Sequence, residues 1–298
     1  MRFASICSGI GGAEVAFGRL GWDCAFLSEI APLPRAVLSH HFPNIPLHGD
    51  FREIQYQEEP LDLLIGGPPC QGFSVAGKRR GMDDPRSQLS IEYIRLVERV
   101  RPRWVIYENV PGLLSSNGGR DFGALIGALE QCGYSLAWGV LDAQHFGSSQ
   151  RRKRVFVVGY LGANWQYPAA VLFNGAGLPG DPSPREIAGK GEDVALCVTS
   201  RFGSGRNDPT AETYIPVNVN GTLRVRRLTP LECERLQGFP DGWTHVPVRQ
   251  RKNGTIVMAS DSARYKAIGN AFQVDVISWI GSRIAMLEAH RAEAVQEI

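Results

Sequence analysis

Short apolar runs alternate with amphipathic stretches through the first 160 residues. The runs predict strands at 2–6, 24–28, 46–48, 61–65, 103–107, 134–141 and 154–159. Between them, apolar residues recur three and four positions apart, as in Ala13, Ala16, Phe17 and Leu20, which is the stripe of an amphipathic helix. This alternation indicates an α/β fold with a mainly parallel sheet and helices on both faces, and the last two strands are expected to pair antiparallel.

A change of composition near residue 160 divides the chain. Residues 160–223 contain many glycine, proline, asparagine and aspartate residues and no long helical period. We therefore predict a large domain over 1–159, completed by 262–298, and a small domain with a connecting hinge over 160–261. Residues 229–237 are predicted to form a helix that begins with a capping box.

The composition is that of an ordinary globular protein. The 298 residues are 43% hydrophobic and 21% charged, and the formal net charge is +2. No apolar stretch approaches the roughly 20 residues of a membrane span, and the first residues do not resemble an export signal, so we expect a cytoplasmic protein with reduced thiols. The six cysteines lie outside metal-ligand spacing of one another, which disfavours a metal site. Basic clusters at 151–154, 224–227 and 249–252 would suit a phosphate backbone.

The conspicuous polar residues follow the predicted strands. A glycine-rich turn at 8–12 follows the first strand, Glu29 the second, Asp50 the third, Cys70 the fourth and Glu108 the fifth. Open α/β sheets bind their ligands at the carboxyl ends of the strands. Because scattered structural residues have no reason to fall on one edge, this coincidence predicts a binding crevice there.

Two kinds of chemistry fit this edge. The segment at 66–74, Gly-Gly-Pro-Pro-Cys-Gln-Gly-Phe-Ser, holds Cys70 on a proline-stiffened turn, which is typical of a presented nucleophile rather than a packed thiol. Glu108 would exchange a proton with a substrate ring, or else be a buried structural acid. The glycine turn admits close backbone approach to a ligand, and Glu29 and Asp50 would hold the ribose and adenine of an adenosine-containing cofactor.

Six ordered blocks carry a family resemblance. The chain resembles the DNA (cytosine-5)-methyltransferases of bacteria and phages, whose blocks it matches at 6–12, 66–74, 108–110, 150–156, 227–240 and 266–272. The resemblance implies a Rossmann-like S-adenosylmethionine-dependent methyltransferase sheet with a smaller target-recognition domain. Residues 160–223, which match no block, fall where that family carries its target-recognition region.

The resemblance also implies a reaction. Cys70 would attack C6 of a cytosine flipped out of double-stranded DNA, and C5 would take a methyl group from S-adenosyl-L-methionine, leaving S-adenosyl-L-homocysteine. Glu108 would hydrogen-bond the ring at N3 and the exocyclic amine. Arg152 or Arg154 would hold the cytosine O2 or support a mobile catalytic loop at 71–86. The protein is expected to act as a monomer without a metal, and a cognate restriction endonuclease is a candidate partner.

Further positions follow from the same resemblance. It implies cofactor contacts by Cys7, Gly9, Ile10, Gly11, Gly12, Glu29, Ile30, Asp50, Phe51, Pro68, Leu89, Asn270 and Ala271. The expected DNA contacts are Gln71, Ser74, Lys78, Arg79, Arg201, Arg206, Arg224, Arg227 and Gln237. Many relatives have phenylalanine where Cys7 stands and an aromatic residue where Ile30 stands. These two departures would weaken cofactor affinity but remove no catalytic group.

Three other functions remain open at this stage. An RNA cytosine-5 methyltransferase shares the fold, although the long segment at 160–223 favours duplex DNA. A catalytically silent DNA-binding protein would have no use for an intact Cys70 and Glu108. A nicotinamide-dependent oxidoreductase would account for the glycine turn but not for Cys70 or the block at 227–240. The target sequence is not readable from composition.

Overall fold

The computed structural model describes residues 1–56, 59–68, 88–173, 214–219 and 222–296. Within these ranges the main sheet has seven strands: β1 (Arg2–Ile6), β2 (Asp23–Ser28), β3 (Leu47–His48), β4 (Leu63–Gly66), β5 (Trp104–Asn109), β6 (Tyr134–Asp142) and β7 (Lys153–Leu161). Their order is β3-β2-β1-β4-β5-β7-β6. The first five are parallel, and β7 runs antiparallel to both of its neighbours. The predicted α/β fold with a mainly parallel sheet is confirmed.

Helices connect and cover the strands. They are α1 (Gly12–Gly18), α2 (Pro32–His41), α3 (Gln88–Val100), α4 (Arg120–Gln131), α5 (Gln166–Leu172), α6 (Pro230–Leu236), α7 (Asp261–Asn270) and α8 (Val274–Gln296). The capping box that begins α6 is present: Thr229 caps the helix and Glu232 bonds back to it. Helix α5 has no counterpart among the predicted elements, because seven residues are too few to show a clear helical period.

Alternate strand residues are buried on opposite faces of the sheet. Phe3 and Ile106 point to the face covered by α1, α5 and α8, whereas Ala4, Val105 and Tyr107 point to the face covered by α3 and α4. Burial on both faces explains why the central strands read as continuous apolar runs rather than as an alternating pattern. The chemistry is therefore confined to the strand ends.

Part of the segment from 160 onward packs on the main sheet. Val171 of α5 and Cys233 of α6 belong to the same apolar core as β1 and α8. The remaining described elements of this part are two antiparallel hairpins, β8 (Tyr214–Val219) with β9 (Thr222–Arg227), and β10 (Pro247–Gln250) with β11 (Ile256–Met258). The domain boundaries at 159 and 262 stay a prediction. A search of the described helices finds none with the length and apolar character to cross a membrane.

Candidate active site

A cleft of about 800 Å³ lies at the carboxyl ends of the parallel strands. One wall follows β1, β2 and β3, a second follows β4 and β5, and a third is formed by α7. Its polar lining includes Glu29, Asp50, Arg52, Glu108, Asn109, Arg152, Arg154, Lys266 and Asn270. The polar residues that follow the predicted strands, Glu29, Asp50 and Glu108, therefore meet in one cleft, and Cys70 lies outside the described residues.

The turn after β1 is built from left-handed backbone. Cys7, Gly9 and Gly11 have φ of 50°, 57° and 89°. At Gly11 a β-carbon would come within 2.8 Å of the Phe42 ring, so both the conformation and the space require glycine. The turn exposes the backbone N–H of Gly9, which donates to Glu29 Oε2 at 2.9 Å. The glycine run therefore shapes the loop that brings backbone to the cleft.

Glu29 is fixed by three backbone donors. Besides the Gly9 N–H, its Oε1 accepts from the N–H groups of Ile30 and Ala31, each at 2.8 Å. A carboxylate offers about four acceptor positions, so one remains for a hydroxyl donor in the cleft. Held in this way, the group is suited to accept hydrogen bonds in a fixed orientation.

Asp50 is paired inside the cleft. The single N–H of Arg52 Nε is shared between the two carboxylate oxygens, at 3.0 Å to Oδ1 and 2.9 Å to Oδ2, and Asp50 also caps the short 3₁₀ helix at Phe51–Glu53. The hydrogen bonds from Arg52 lower the pKa of the Asp50 carboxyl below its ordinary value. Asp50 is therefore an ionised acceptor at neutral pH.

An apolar surface lies between these two carboxylates. Ile30 is 72% exposed and lines the cleft with Leu33 and the buried Phe51. A side chain of this kind is normally buried. Its exposure at this point gives the cleft an apolar wall against which a flat ring can lie.

Glu108 is the half-buried carboxyl group at the other end of the cleft. Its Oε1 lies 3.1 Å from Arg154 Nε, and no backbone donor to it is seen among the described residues. Burial raises the pKa of Glu108, while the charges of Arg154 and Arg152 oppose that rise. The net direction is upward, because desolvation of a charged form outweighs its partial pairing. Glu108 therefore carries a proton more readily than an exposed carboxyl group does.

The side chains of Arg152 and Arg154 make different contacts. Arg152 is 3% exposed, and its Nη2 donates to the carbonyl oxygens of Gly269 and Ala271 at 3.2 and 2.8 Å. It ties the residue just before β7 to the end of α7, where Asn270 is the last helical residue. Arg154 instead lies against Glu108. The geometry favours Arg154 for contact with a substrate and Arg152 for support of the cleft wall.

The segment that leads to Cys70 is anchored to β5. Asn109 Nδ2 donates to the Pro68 carbonyl at 3.1 Å and to the Tyr107 hydroxyl at 3.0 Å. At Gly67 a β-carbon would lie 2.8 Å from the Phe272 ring and 3.1 Å from Glu108 Oε2. At Gly67, one residue before the last described residue of the stretch 59–68, the backbone therefore passes directly beside the Glu108 carboxyl group.

Twenty of the predicted site residues fall into three groups. Nine of the cofactor residues line the cleft: Cys7, Gly9, Glu29, Ile30, Asp50, Phe51, Pro68, Leu89 and Asn270. Four others do not line it: Ile10, Gly11, Gly12 and Ala271. They are buried beneath the turns and shape them. Seven predicted residues lie outside the described part of the chain: Cys70, Gln71, Ser74, Lys78, Arg79, Arg201 and Arg206.

The expectation that Gln237 contacts DNA is wrong for this structure. Gln237 is fully buried, and its Nε2 donates to the carbonyl of Ile268 at 3.1 Å. It fixes the end of α6 to α7, so its side chain cannot reach a duplex. The predicted DNA contacts Arg224 and Arg227 both lie on β9. Arg227, at the end of the strand, is half-buried.

Two cations in the cleft were not among the predicted site residues. Arg52 holds Asp50, and Lys266 on α7 lines the wall opposite β2. The signal for Arg52 was its place two residues after Asp50, from where a side chain can return to the carboxylate. Lys266 belongs to the matched block at 266–272, but nothing in the sequence aims it at the cleft.

Comparison with known proteins decides which family builds such a cleft. The model of the family described as C-5 cytosine-specific DNA methylase matches residues 1–175 and 183–286. The chain belongs to this family. The two matched stretches take in every strand of the main sheet and all three walls of the cleft. As a C-5 cytosine-specific DNA methylase family member, the protein is a DNA methyltransferase, with relatives from Type II restriction-modification systems.

Individual relatives agree over most of the chain. The Type II methyltransferase M2.BsuMI of Bacillus subtilis is 32% identical over 96% of this chain and 75% of its own length. A protein of Escherichia phage P1 named DNA N-6-adenine-methyltransferase is 28% identical over 98% of this chain, which spans 62% of that protein. The solved S. pombe Dnmt2 methyltransferase matches with a TM-score of 0.71 at 20% identity, covering 97% of this chain and 99% of that one. This last likeness confirms the methyltransferase fold of the family.

Proposed function

We propose that the protein transfers a methyl group from S-adenosyl-L-methionine to C5 of a cytosine that is flipped out of a specific sequence in duplex DNA. The observation that carries the proposal is Glu108, a half-buried carboxyl group of raised pKa that lines the cleft, with Arg154 beside it. A protonated acid there donates to the ring nitrogen N3 of cytosine and accepts from the exocyclic amine. Adenine presents the same pair at N1 and its exocyclic amine, so cytosine is proposed because the matching family is described as C-5 cytosine-specific and because Cys70 lies in the matched block at 66–74.

Cytosine C5 is a poor nucleophile until C6 is attacked. The Cys70 thiolate forms a bond to C6, and the electron pair displaced from the C5–C6 bond makes C5 nucleophilic. The proton on Glu108 stabilises the charge that this addition places on the ring. After methyl transfer, loss of the C5 proton reforms the double bond and expels the Cys70 sulfur.

The cofactor is proposed from the other end of the cleft. When bound, S-adenosyl-L-methionine supplies the methyl group that C5 accepts. Glu29 has an acceptor position left for a ribose hydroxyl, Asp50 is an ionised acceptor for the adenine amino group, and Ile30 gives an apolar surface for the ring. A cleft of about 800 Å³ is within the usual range for sites of this kind. The described donors and acceptors fit the cofactor.

A cytosine reaches this cleft by leaving the base stack. Flipping costs a few kcal/mol, which contacts to phosphates and to the extruded base offset. The clusters at 151–154 and 249–252 carry exposed basic residues on the described surface. We propose that residues from the segment at 160–261 read the target sequence, that the enzyme acts as a monomer without a metal, and that a restriction endonuclease is its natural counterpart.

The relative named for N-6-adenine methylation supplies the main competing function. A mixed genomic DNA of known composition is incubated with the protein and S-adenosyl-L-methionine, then digested, and its nucleosides are measured by mass spectrometry. We expect 5-methylcytosine to appear and N6-methyladenine to stay at background. The opposite result would overturn the proposal, and methylation of tRNA with none of duplex DNA would replace the substrate.

The covalent step is tested with a trap. In the presence of S-adenosyl-L-methionine, a 5-fluorocytosine in duplex DNA can be methylated but then has no C5 proton to lose, so the wild-type protein should remain bonded to it through denaturing electrophoresis. Cys70→Ser should form no such complex and no 5-methylcytosine. Cys132→Ser, which changes a partly buried thiol at the end of α4, is the matched control and should behave as wild type.

A further inference from the structure

A buried carboxyl group lies behind the glycine turn and outside the cleft. Glu14 of α1 is 4% exposed and lines a separate cavity of about 310 Å³ with Trp22, Cys24 and Phe42. Its Oε1 is within hydrogen-bond distance of Ser5 Oγ, and its Oε2 is buried without a partner among the described residues. Burying a carboxyl group with one oxygen unpaired costs folding free energy, so its position calls for a functional or structural explanation.

Glu14 begins a line of hydrogen bonds that ends at the cofactor wall. Ser5 Oγ lies 2.6 Å from Ser8 Oγ. The Ser8 hydroxyl in turn reaches the carbonyls of Ser5 and Ser28 at 3.1 and 3.2 Å, and it accepts from the Ser28 N–H at 3.2 Å. The Ser28 hydroxyl donates to the Gly49 carbonyl at 2.7 Å. The line therefore connects α1 to the residues that directly precede Gly9, Glu29 and Asp50.

The count of protons along this line indicates a neutral Glu14. Ser5 has one hydroxyl proton but two acceptors within reach, Glu14 and Ser8. If Glu14 is protonated, it donates to Ser5, Ser5 donates to Ser8, and Ser8 donates to a backbone carbonyl, so every hydroxyl is used. If Glu14 is ionised, its Oε2 becomes a buried charged oxygen without a donor, which costs more than a neutral one.

We propose that Glu14 is a positioning residue: as a neutral acid it directs the hydrogen bonds of Ser5 and Ser8 toward the Ser28 backbone and thereby holds the Gly9 turn and Glu29 in the geometry that binds the cofactor. This rests on the proposed function for the role of that wall. Ionisation of Glu14 turns the Ser5 proton back toward the carboxylate and removes it from Ser8. The tie between β1 and the end of β2 then weakens.

The inference implies that cofactor affinity falls as Glu14 ionises. Burial raises the pKa of Glu14 to about 7, with the hydrogen bond to Ser5 acting in the opposite direction. The ionisable groups around it on β2 are Asp23 and Cys24, and burial keeps the Cys24 thiol neutral. Glu14 is the sole ionisable residue of α1, and α8 faces that helix with the Arg19–Asp275 pair beyond its end. The amino group of the cofactor also titrates in the alkaline range. The pH dependence of Kd must therefore be measured relative to a variant in which residue 14 does not ionise.

Glutamine supplies that reference. In Glu14→Gln the amide N–H donates to Ser5 at every pH, so the variant should bind S-adenosyl-L-homocysteine as the wild type does at pH 6. From pH 6 to 9 the ratio of wild-type to variant Kd should rise about fivefold to tenfold, the effect expected within one hydrogen-bond network. Glu14→Leu, which has no donor, should bind as weakly at pH 6 as the wild type does at pH 9. Glu130→Gln on the exposed face of α4 should change nothing.

A second measurement separates this inference from the proposed function. Amide hydrogen exchange at 8–11, measured without any cofactor, should be faster in Glu14→Leu than in wild type and unchanged in Glu14→Gln. A wild-type protein that binds no S-adenosyl-L-homocysteine would contradict the proposed function, and exchange would still test the turn. If exchange and the pH dependence of Kd are the same in all three proteins, Glu14 merely fills space and the inference is wrong.

Discussion

The two ends of the cleft use the same functional group in opposite ways. Glu29 receives three backbone N–H groups and is held as an acceptor. Glu108 lies in the same cleft with an arginine at one oxygen and no backbone donor seen among the described residues, and burial raises its pKa. Backbone donors fix a carboxylate in its charged form, whereas burial beside a single cation leaves room for a proton. The surroundings, rather than the residue type, separate binding from proton chemistry.

The largest effect is expected when the titratable proton of Glu108 is removed by substitution. Glu108→Gln keeps the shape of the side chain but cannot release or regain a proton as the ring changes charge. We expect kcat to fall by about 10²- to 10³-fold, the usual contribution of a positioned acid, with little change in the Kd for S-adenosyl-L-homocysteine. Single-turnover methylation of duplex DNA measures the first quantity and calorimetry the second. A loss confined to cofactor binding would mean that the two ends have been assigned the wrong way round.

The complementary change acts on the Glu29 end. Glu29→Ala leaves three backbone N–H groups without their acceptor and removes the site for a ribose hydroxyl. We expect the KM for S-adenosyl-L-methionine to rise by about 30-fold, which corresponds to roughly 2 kcal/mol for a lost charged hydrogen bond. The kcat at saturating cofactor should fall much less. Initial rates over a range of cofactor concentration test this split, with Glu130→Gln as the control.

A smaller effect is expected from the cation beside Glu108. The positive charge of Arg154 opposes the rise in the pKa of Glu108, so Arg154→Gln should raise that pKa further. In the proposed mechanism the protonated acid is the active form, so activity should be lost as the pH rises through this pKa, and the alkaline limb of kcat/KM should move to higher pH in the variant. We expect kcat near neutral pH to fall by about tenfold through the loss of a substrate contact. An unmoved alkaline limb would assign that limb to another group.

The smallest effect is expected from a substitution that should increase cofactor affinity at the Glu29 end of the cleft. Ile30 exposes 72% of its surface in the cleft, where an aromatic ring would present a larger flat surface. Ile30→Phe should lower the Kd for S-adenosyl-L-homocysteine by about threefold, within the range of an added ring contact. The kcat should stay unchanged, because Glu108 lies at the far end. Tighter binding of the cofactor with a slower chemical step would show that the two ends are coupled.

Most of the frame of this site could be predicted from the sequence, because it depends on strand ends. The strands were found from their apolar runs, and the carboxyl ends of parallel strands meet at one edge. What failed was the role of individual side chains that depend on tertiary packing. Gln237 is polar and follows a basic block, yet it is buried against Ile268, and no local pattern distinguishes those two fates.

Other misses have similar causes. Glu108 was expected just beyond a strand but lies within β5, because pairing with β7 extends the strand to Asn109. That partner is separated from β5 by more than forty residues. Arg152 and Arg154 could not be told apart from sequence, since they lie two positions apart around the start of β7 and only the packing of α7 decides which one is buried. Sequence pattern thus locates the cleft, and long-range contacts assign its roles.

The wall formed by α7 has a consequence for how the enzyme is made. Residues 263–270 close the cleft, and Arg152 holds their final turn to β7. On the ribosome, all seven strands emerge before this wall exists. A nascent chain that has folded its sheet therefore has Glu29 and Glu108 in place but an open side to the pocket. Competence to bind the proposed cofactor should therefore arise only when α7 has left the exit tunnel.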